Sequence, residues 1–156
     1  MEAAKLEELK TSLRPAFERH GVRLAYLFGS QATGRTHAES DTDIAVLLPK
    51  ALTSDVQFEA RLDLIGAAMD ACRSEEVDVA VLNDASPLLC FEVLRHGILL
   101  YKQSEKERVD FQVRTCLEYE DTAPLRRKLE AAKRKRIASG RFGRAPQPPR
   151  KAHAGS

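Results

Sequence analysis

Apolar side chains recur along this sequence with two different periods. Spacings of three and four residues, which place side chains on one face of a helix, run through 4–20, 55–72 and 105–137. The apolar residues that define these stretches are Leu6, Leu9, Leu13, Phe17, Val56, Leu62, Leu64, Ile65, Met69, Val109, Phe111, Val113, Leu117, Leu125 and Leu129. Each stretch predicts an amphipathic helix, the first closed at Gly21 and the last interrupted near Pro124.

Short apolar runs between these helices predict β-strands. Residues 23–28 form a short apolar run that ends at Gly29-Ser30, and 43–49 is almost continuously apolar, as in a strand that is covered on both faces. Residues 77–82 alternate valines with other residues. A further strand is predicted over 98–101, after a short helix at 86–96 that has Ser at its cap and Pro at its first position. This order predicts an α/β fold, a small mixed β-sheet flanked by helices with a C-terminal helix.

The charge is divided unevenly between the two ends of the chain. The net charge is +2, yet residues 1–124 carry −8 and residues 125–156 carry +10. We predict one domain over 1–125, a basic helical extension over 126–138 and a disordered basic tail over 139–156, which is rich in Gly and Pro. Such a basic end suits nucleic acid, an acidic partner surface or the acidic body itself, although a solvated helix end explains the charge equally well.

The composition excludes several classes of protein. Hydrophobic residues make up 43% of the chain and charged residues 31%, and no apolar run approaches the roughly 20 residues that a membrane helix needs. The first residues are acidic where a signal peptide is basic and then apolar, so a cytoplasmic protein without membrane contact is expected. Cys72, Cys90 and Cys116 are widely separated, which argues against a disulfide framework or a zinc site.

Two carboxylates and a Gly-Ser pair carry the candidate chemistry. Asp41 and Asp43 lie two residues apart at the start of a predicted strand, so both side chains point to one side. Like charges this close share a proton or bind a metal, and carboxylate oxygens favour magnesium or manganese. Gly29 lets the backbone approach a phosphate, and Ser30 with the following amides can donate hydrogen bonds to it. The combination predicts phosphoryl or nucleotidyl transfer.

A third acid, Asp78, lies between two valines in the strand predicted over 77–82. A carboxylate buried there without a partner is costly, which favours a functional role. If this strand neighbours the strand that begins at Asp43, the acids form one site that suits a two-metal scheme. Asp78 is also a candidate general base for the acceptor's proton, although the metal-linked role is favoured.

The spacing of these residues resembles the DNA polymerase beta-type nucleotidyltransferase superfamily, whose motif is Gly-Ser, about ten residues, Asp-x-Asp and a later Asp. Here ten residues separate Ser30 from Asp41. The sequence is most similar to the minimal nucleotidyltransferase (MNT) branch, and within it to MntA-like antitoxins of HEPN/MNT toxin-antitoxin systems. The likeness covers residues 5–125, with Thr42 as a departure from the aliphatic residue more usual between the two acids.

The resemblance implies an enzyme that uses ATP and two Mg²⁺ ions to transfer AMP to a tyrosine of a partner HEPN ribonuclease toxin, which it thereby silences. It implies that Gly29 and Ser30 bind the nucleotide and that the catalytic, metal-binding residues are Asp41, Asp43 and Asp78. One alternative is nucleotidyl transfer to a small molecule such as an aminoglycoside, for which the chain leaves little room for an acceptor domain. The other is a non-catalytic antitoxin, against which the retained acids argue because carboxylates buried without a metal destabilise a fold.

Overall fold

The computed structural model describes residues 2–29 and 42–139, which alternate between helices and strands. The elements in chain order are α1 (Ala3–Arg19), β1 (Leu24–Phe28), β2 (Thr42–Leu47), α2 (Ser54–Cys72), β3 (Val77–Val81), α3 (Pro87–His96), β4 (Ile98–Lys102), α4 (Glu105–Asp121) and α5 (Ala123–Ala138). The predicted order of helices and strands is confirmed, with boundaries that differ by one or two residues. No helix within the described ranges is both long and apolar enough to cross a lipid bilayer.

The four strands form one mixed sheet in the order β3-β2-β1-β4. Strand β1 is antiparallel to both of its neighbours, β2 and β4, whereas β2 and β3 are parallel. Parallel neighbours need a crossover connection, and α2 provides it. The predicted α/β fold with a small mixed sheet is therefore confirmed, and β3 is left at one edge of the sheet.

Helices cover both faces of the sheet, which explains why β1 and β2 are almost continuously apolar. On one face α1 and α2 pack on the sheet, and on the other face the packing comes from α3 and α4. The first layer includes Leu13, Phe17, Ile44, Val46, Leu64 and Val79. The second layer includes Tyr26, Ala45, Leu47, Val93 and Phe111. Asp43 precedes Ala45 and Leu47 at alternate positions and so begins on the second face.

The buried face of α2 contains only part of the apolar pattern that predicted the helix. Val56 and Leu62 belong to the apolar pattern that predicted this helix, yet 45% and 50% of their surfaces are exposed. The helix instead buries Ala60, Leu64 and Ala68, which are four residues apart. Leu64 and two small alanines therefore form the contact face, and the larger Val56 and Leu62 do not take part in it.

The predicted helix over 105–137 is interrupted where Pro124 indicated, between α4 and α5. Of its apolar residues Phe111 is buried, whereas Val113 and Leu117 are more than half exposed. The described chain separates into a compact unit that ends at Glu120 and a second unit that begins at Asp121 and contains α5. The domain limits at 125 and 138 stay predictions, and the tail beyond residue 139 lies outside the described residues.

Candidate active site

Gly29 and the carboxylate of Asp43 lie against each other at one end of the β1–β2 pair. The register places Phe28 opposite Asp43, so Gly29 follows directly where β1 leaves the sheet. Gly29 has a φ of +80°, and a Cβ atom added to it would lie 2.6 Å from Oδ2 of Asp43. Two features therefore require glycine here: the backbone is left-handed, and the carboxylate of Asp43 occupies the space that a side chain would need.

Asp43 and Asp78 occupy paired positions on two neighbouring strands. Parallel strands β2 and β3 place Asp43 directly beside Asp78, with a strand spacing of about 4.8 Å. Paired positions point to the same face, so the two carboxylates lie on one side of the sheet. Asp43 is half-buried and Asp78 is exposed. Because like charges at paired positions repel, this arrangement favours binding of a cation.

The side chain of Asp78 is held by α2. Its Oδ1 accepts a hydrogen bond of 2.9 Å from Nη2 of Arg61 and another of 2.8 Å from the backbone N–H of Val79. Arg61 also donates from Nε to the carbonyl oxygen of Val79, at 2.6 Å. Nothing in the sequence distinguished Arg61, which stands on the polar side of a helical pattern seventeen residues before Asp78.

Thr42, the unusual residue between the two acids of the motif, points away from this site. Its side chain is buried on the opposite face of β2, where it interacts with the thiol of Cys72. Burial raises the pKa of that thiol, and the hydrogen bond with Thr42 partly offsets the rise. The backbone N–H of Thr42 donates to the carbonyl oxygen of Glu76 at 2.9 Å. Thr42 therefore fastens the start of β2 without taking a ligand position.

The other two predicted site residues, Ser30 and Asp41, lie outside the described residues. Within 2–29 and 42–139 no group of three potential metal-ligating side chains is gathered at one place. The structure thus brings together Gly29, Asp43 and Asp78, and leaves the places of Ser30 and Asp41 as predictions. Two carboxylates on neighbouring strands are donors of the hard, anionic kind that Mg²⁺ and Mn²⁺ bind, so the described part of the site fits such an ion.

A family model described as polymerase beta, nucleotidyltransferase, matches residues 11–106, which is more than half of the chain. The match spans the sheet, the Gly29–Asp43 contact and Asp78. The chain therefore belongs to the polymerase beta-type nucleotidyltransferase family, and its class is that of a nucleotidyl-transferring enzyme.

Two relatives narrow the class to MntA-type members. The protein adenylyltransferase MntA of Shewanella oneidensis is 34% identical over 99 residues, which is 64% of this chain and 67% of the relative. The protein adenylyltransferase MntA of Aphanizomenon flos-aquae is 32% identical over 119 residues, 73% of this chain and 78% of the relative. A crystal structure of a toxin-antitoxin with AMP-PNP superimposes with a TM-score of 0.57 at 28% identity, covering 84% of this chain and 97% of the other. The resemblance to MntA-like sequences is confirmed.

Proposed function

We propose that this protein is an antitoxin that transfers AMP from ATP to a tyrosine of a partner HEPN-domain ribonuclease toxin and so neutralises it. The observation that carries the proposal is the close approach of Gly29 to the Asp43 carboxylate, within a chain of the nucleotidyltransferase family. At Gly29 a phosphate can reach the backbone without meeting a side chain, and the carboxylate of Asp43 beside it can bind the cation that accompanies the phosphate. The name of the two relatives and the AMP-PNP complex of the structural neighbour support ATP as the substrate.

Different residues of the chain then bind the nucleotide and the metal ions. Gly29 and Ser30 bind the triphosphate, and Asp41, Asp43 and Asp78 hold two Mg²⁺ ions. Bound Mg²⁺ supplies charge neutralisation for the attacking oxygen and for the leaving pyrophosphate. In the transfer, the tyrosine oxygen bonds to the α-phosphorus, the bond from that phosphorus to the pyrophosphate oxygen breaks, and the phenolic proton passes to water. The carboxylates contribute by orienting the reactants, because positioning is the main protein contribution to such transfers.

The proposed setting of this reaction is the cytoplasm. All three cysteines lie within the described residues and none of them forms a disulfide. Free thiols are the usual state in a reducing compartment such as the cytoplasm.

The test is transfer to the partner protein itself. The product of the neighbouring gene is incubated with this protein, ATP and Mg²⁺, and its intact mass is measured. We expect a gain of one or more AMP units, mapped to tyrosine by fragmentation and abolished by Asp43→Asn. Asp63→Asn is the matched control, because Asp63 is an exposed, ion-paired carboxylate that connects α1 and α2.

Two other outcomes would replace the proposal. An unmodified partner held in a tight complex identifies a binding-only antitoxin. Transfer to an added aminoglycoside, with no change in the partner's mass, identifies a small-molecule nucleotidyltransferase.

A further inference from the structure

Arg61 connects α2 to the edge strand β3 through two separate groups. Its Nε donates to the carbonyl oxygen of Val79, and its Nη2 donates to Oδ1 of Asp78. The planar guanidinium presents these two donors in a fixed geometry, so both bonds constrain the same rigid group. The Arg61 side chain is 37% exposed and that of Asp78 is 64% exposed. An ion pair this exposed adds little to folding stability, so stabilisation of the fold does not explain this arrangement.

Within the described residues, the hydrogen bonds to Asp78 go to Oδ1 of its carboxylate and not to Oδ2. The donors are Arg61 and the backbone of Val79. Two bonds to one oxygen fix the rotation of the carboxylate about its own axis. Oδ2 is then the atom through which Asp78 can ligate a cation.

Arg61 also brings a positive charge to Asp78, one member of the acidic pair. Asp43 and Asp78 stand at paired positions of neighbouring strands, where two carboxylates repel each other. Asp78 lies on the edge strand β3, and Arg61 bonds to it and to the carbonyl oxygen of Val79 on the edge that faces away from β2. The guanidinium therefore offsets part of the repulsion without standing between the two acids.

We propose that Arg61 is a positioning residue for the metal site: it holds Oδ1 of Asp78 so that Oδ2 is kept ready for the cation shared with Asp43. The inference rests on the proposed function, because it assumes that these acids bind a divalent metal with the nucleotide. Groups that orient a ligating carboxylate in this way commonly contribute 10- to 100-fold to metal affinity, so a loss of about 10-fold or more is expected when Arg61 is removed.

The experiment measures Mn²⁺ affinity directly, in the presence of AMP-PNP so that no turnover is needed. The free-ion signal in electron paramagnetic resonance gives the Kd for wild type, Arg61→Gln, Arg61→Lys, Asp78→Asn and the double variant Arg61→Gln with Asp78→Asn. Arg19→Gln is the matched control, since Arg19 likewise pairs with an exposed carboxylate of α2, Asp63, at 2.8 Å. Circular dichroism and thermal unfolding show whether each variant is folded.

The proposal predicts a Kd about 10-fold or more above wild type in Arg61→Gln, an intermediate value in Arg61→Lys and an unchanged value in Arg19→Gln. The double variant should bind no more weakly than Asp78→Asn alone, because Arg61 acts through Asp78. Unchanged or tighter binding in a folded Arg61→Gln protein overturns the proposal, since loss of a nearby positive charge alone would tighten binding. If wild type itself binds no Mn²⁺ with AMP-PNP, the proposed function fails and not merely the role of Arg61.

Discussion

Replacement of Gly29 by alanine tests whether the close approach of the β1 end to Asp43 is functional. The new Cβ would lie 2.6 Å from Oδ2 of Asp43, well inside ordinary van der Waals contact, and the residue would have to keep a φ of +80°. The left-handed conformation alone costs about 1–2 kcal/mol for a residue with a Cβ. Relief of the contact requires the carboxylate or the backbone to move by roughly 1 Å, a displacement that typically lowers a catalytic rate about 100-fold.

The assay compares two glycine variants in the same protein. Gly66 lies in α2, and a Cβ added there meets no atom within 4 Å. We expect Gly66→Ala to retain full AMP transfer and to gain about 0.5–1 kcal/mol in free energy of unfolding, because alanine favours a helix over glycine. Gly29→Ala should lose about 1–2 kcal/mol in denaturant unfolding and about 100-fold in kcat for AMP transfer. A Gly29→Ala protein that transfers AMP at the wild-type rate would refute the assignment of this contact to the active site.

Three further predictions concern the stability of the fold that surrounds the site. The side chains of Arg23, 11% exposed, and Glu107, 25% exposed, form an ion pair of 2.7 Å. Arg23→Ala leaves this mostly buried carboxylate without its partner. The free energy of unfolding, measured in urea titrations, should therefore fall by about 2–3 kcal/mol. Gly97→Ala should destabilise the fold by about 1–3 kcal/mol, measured in the same way, because the added Cβ would press on a backbone carbonyl of α3. Hydrogen bonds, first from Arg108 and then from Lys102, lower the pKa of Glu105 from 4.5 to about 2. The contribution of Glu105 to stability is therefore complete above pH 4.5 and is lost as the pH falls towards 2. Glu105→Gln should flatten the curve of melting temperature against pH between these values, and an unchanged curve would contradict this.

The sequence predicted those features that depend on local spacing. The order of elements, the interruption near Pro124 and the glycine at the end of β1 follow from periodicity and from the conformational needs of single residues. The adjacency of Asp43 and Asp78 was predicted only on the condition that their strands are neighbours, and the parallel register of β2 and β3 meets that condition.

Other features depend on contacts that a linear pattern does not contain. Of the apolar residues that predicted α2, Leu64 is buried, whereas Val56 and Leu62 are exposed and their places on the buried face are taken by Ala60 and Ala68. The role of Arg61 depends on a long side chain reaching the edge strand, and no periodicity distinguishes such an arginine from a solvated one. The exposure of Val113 and Leu117 likewise escaped prediction, since an apolar stripe marks a helix face but not what covers it.

The central claim is that Asp43 and its neighbouring acids bind a divalent metal beside the Gly29 backbone and so create an ATP site. Calorimetric titration of AMP-PNP into the purified protein, with saturating Mg²⁺ and then with EDTA, tests it most directly. We predict binding of one nucleotide per chain that is lost with EDTA and in Asp43→Asn, while Asp63→Asn binds as wild type does. Nucleotide binding that is equally tight without Mg²⁺ and in Asp43→Asn, or no binding to the folded wild-type protein, would contradict the claim.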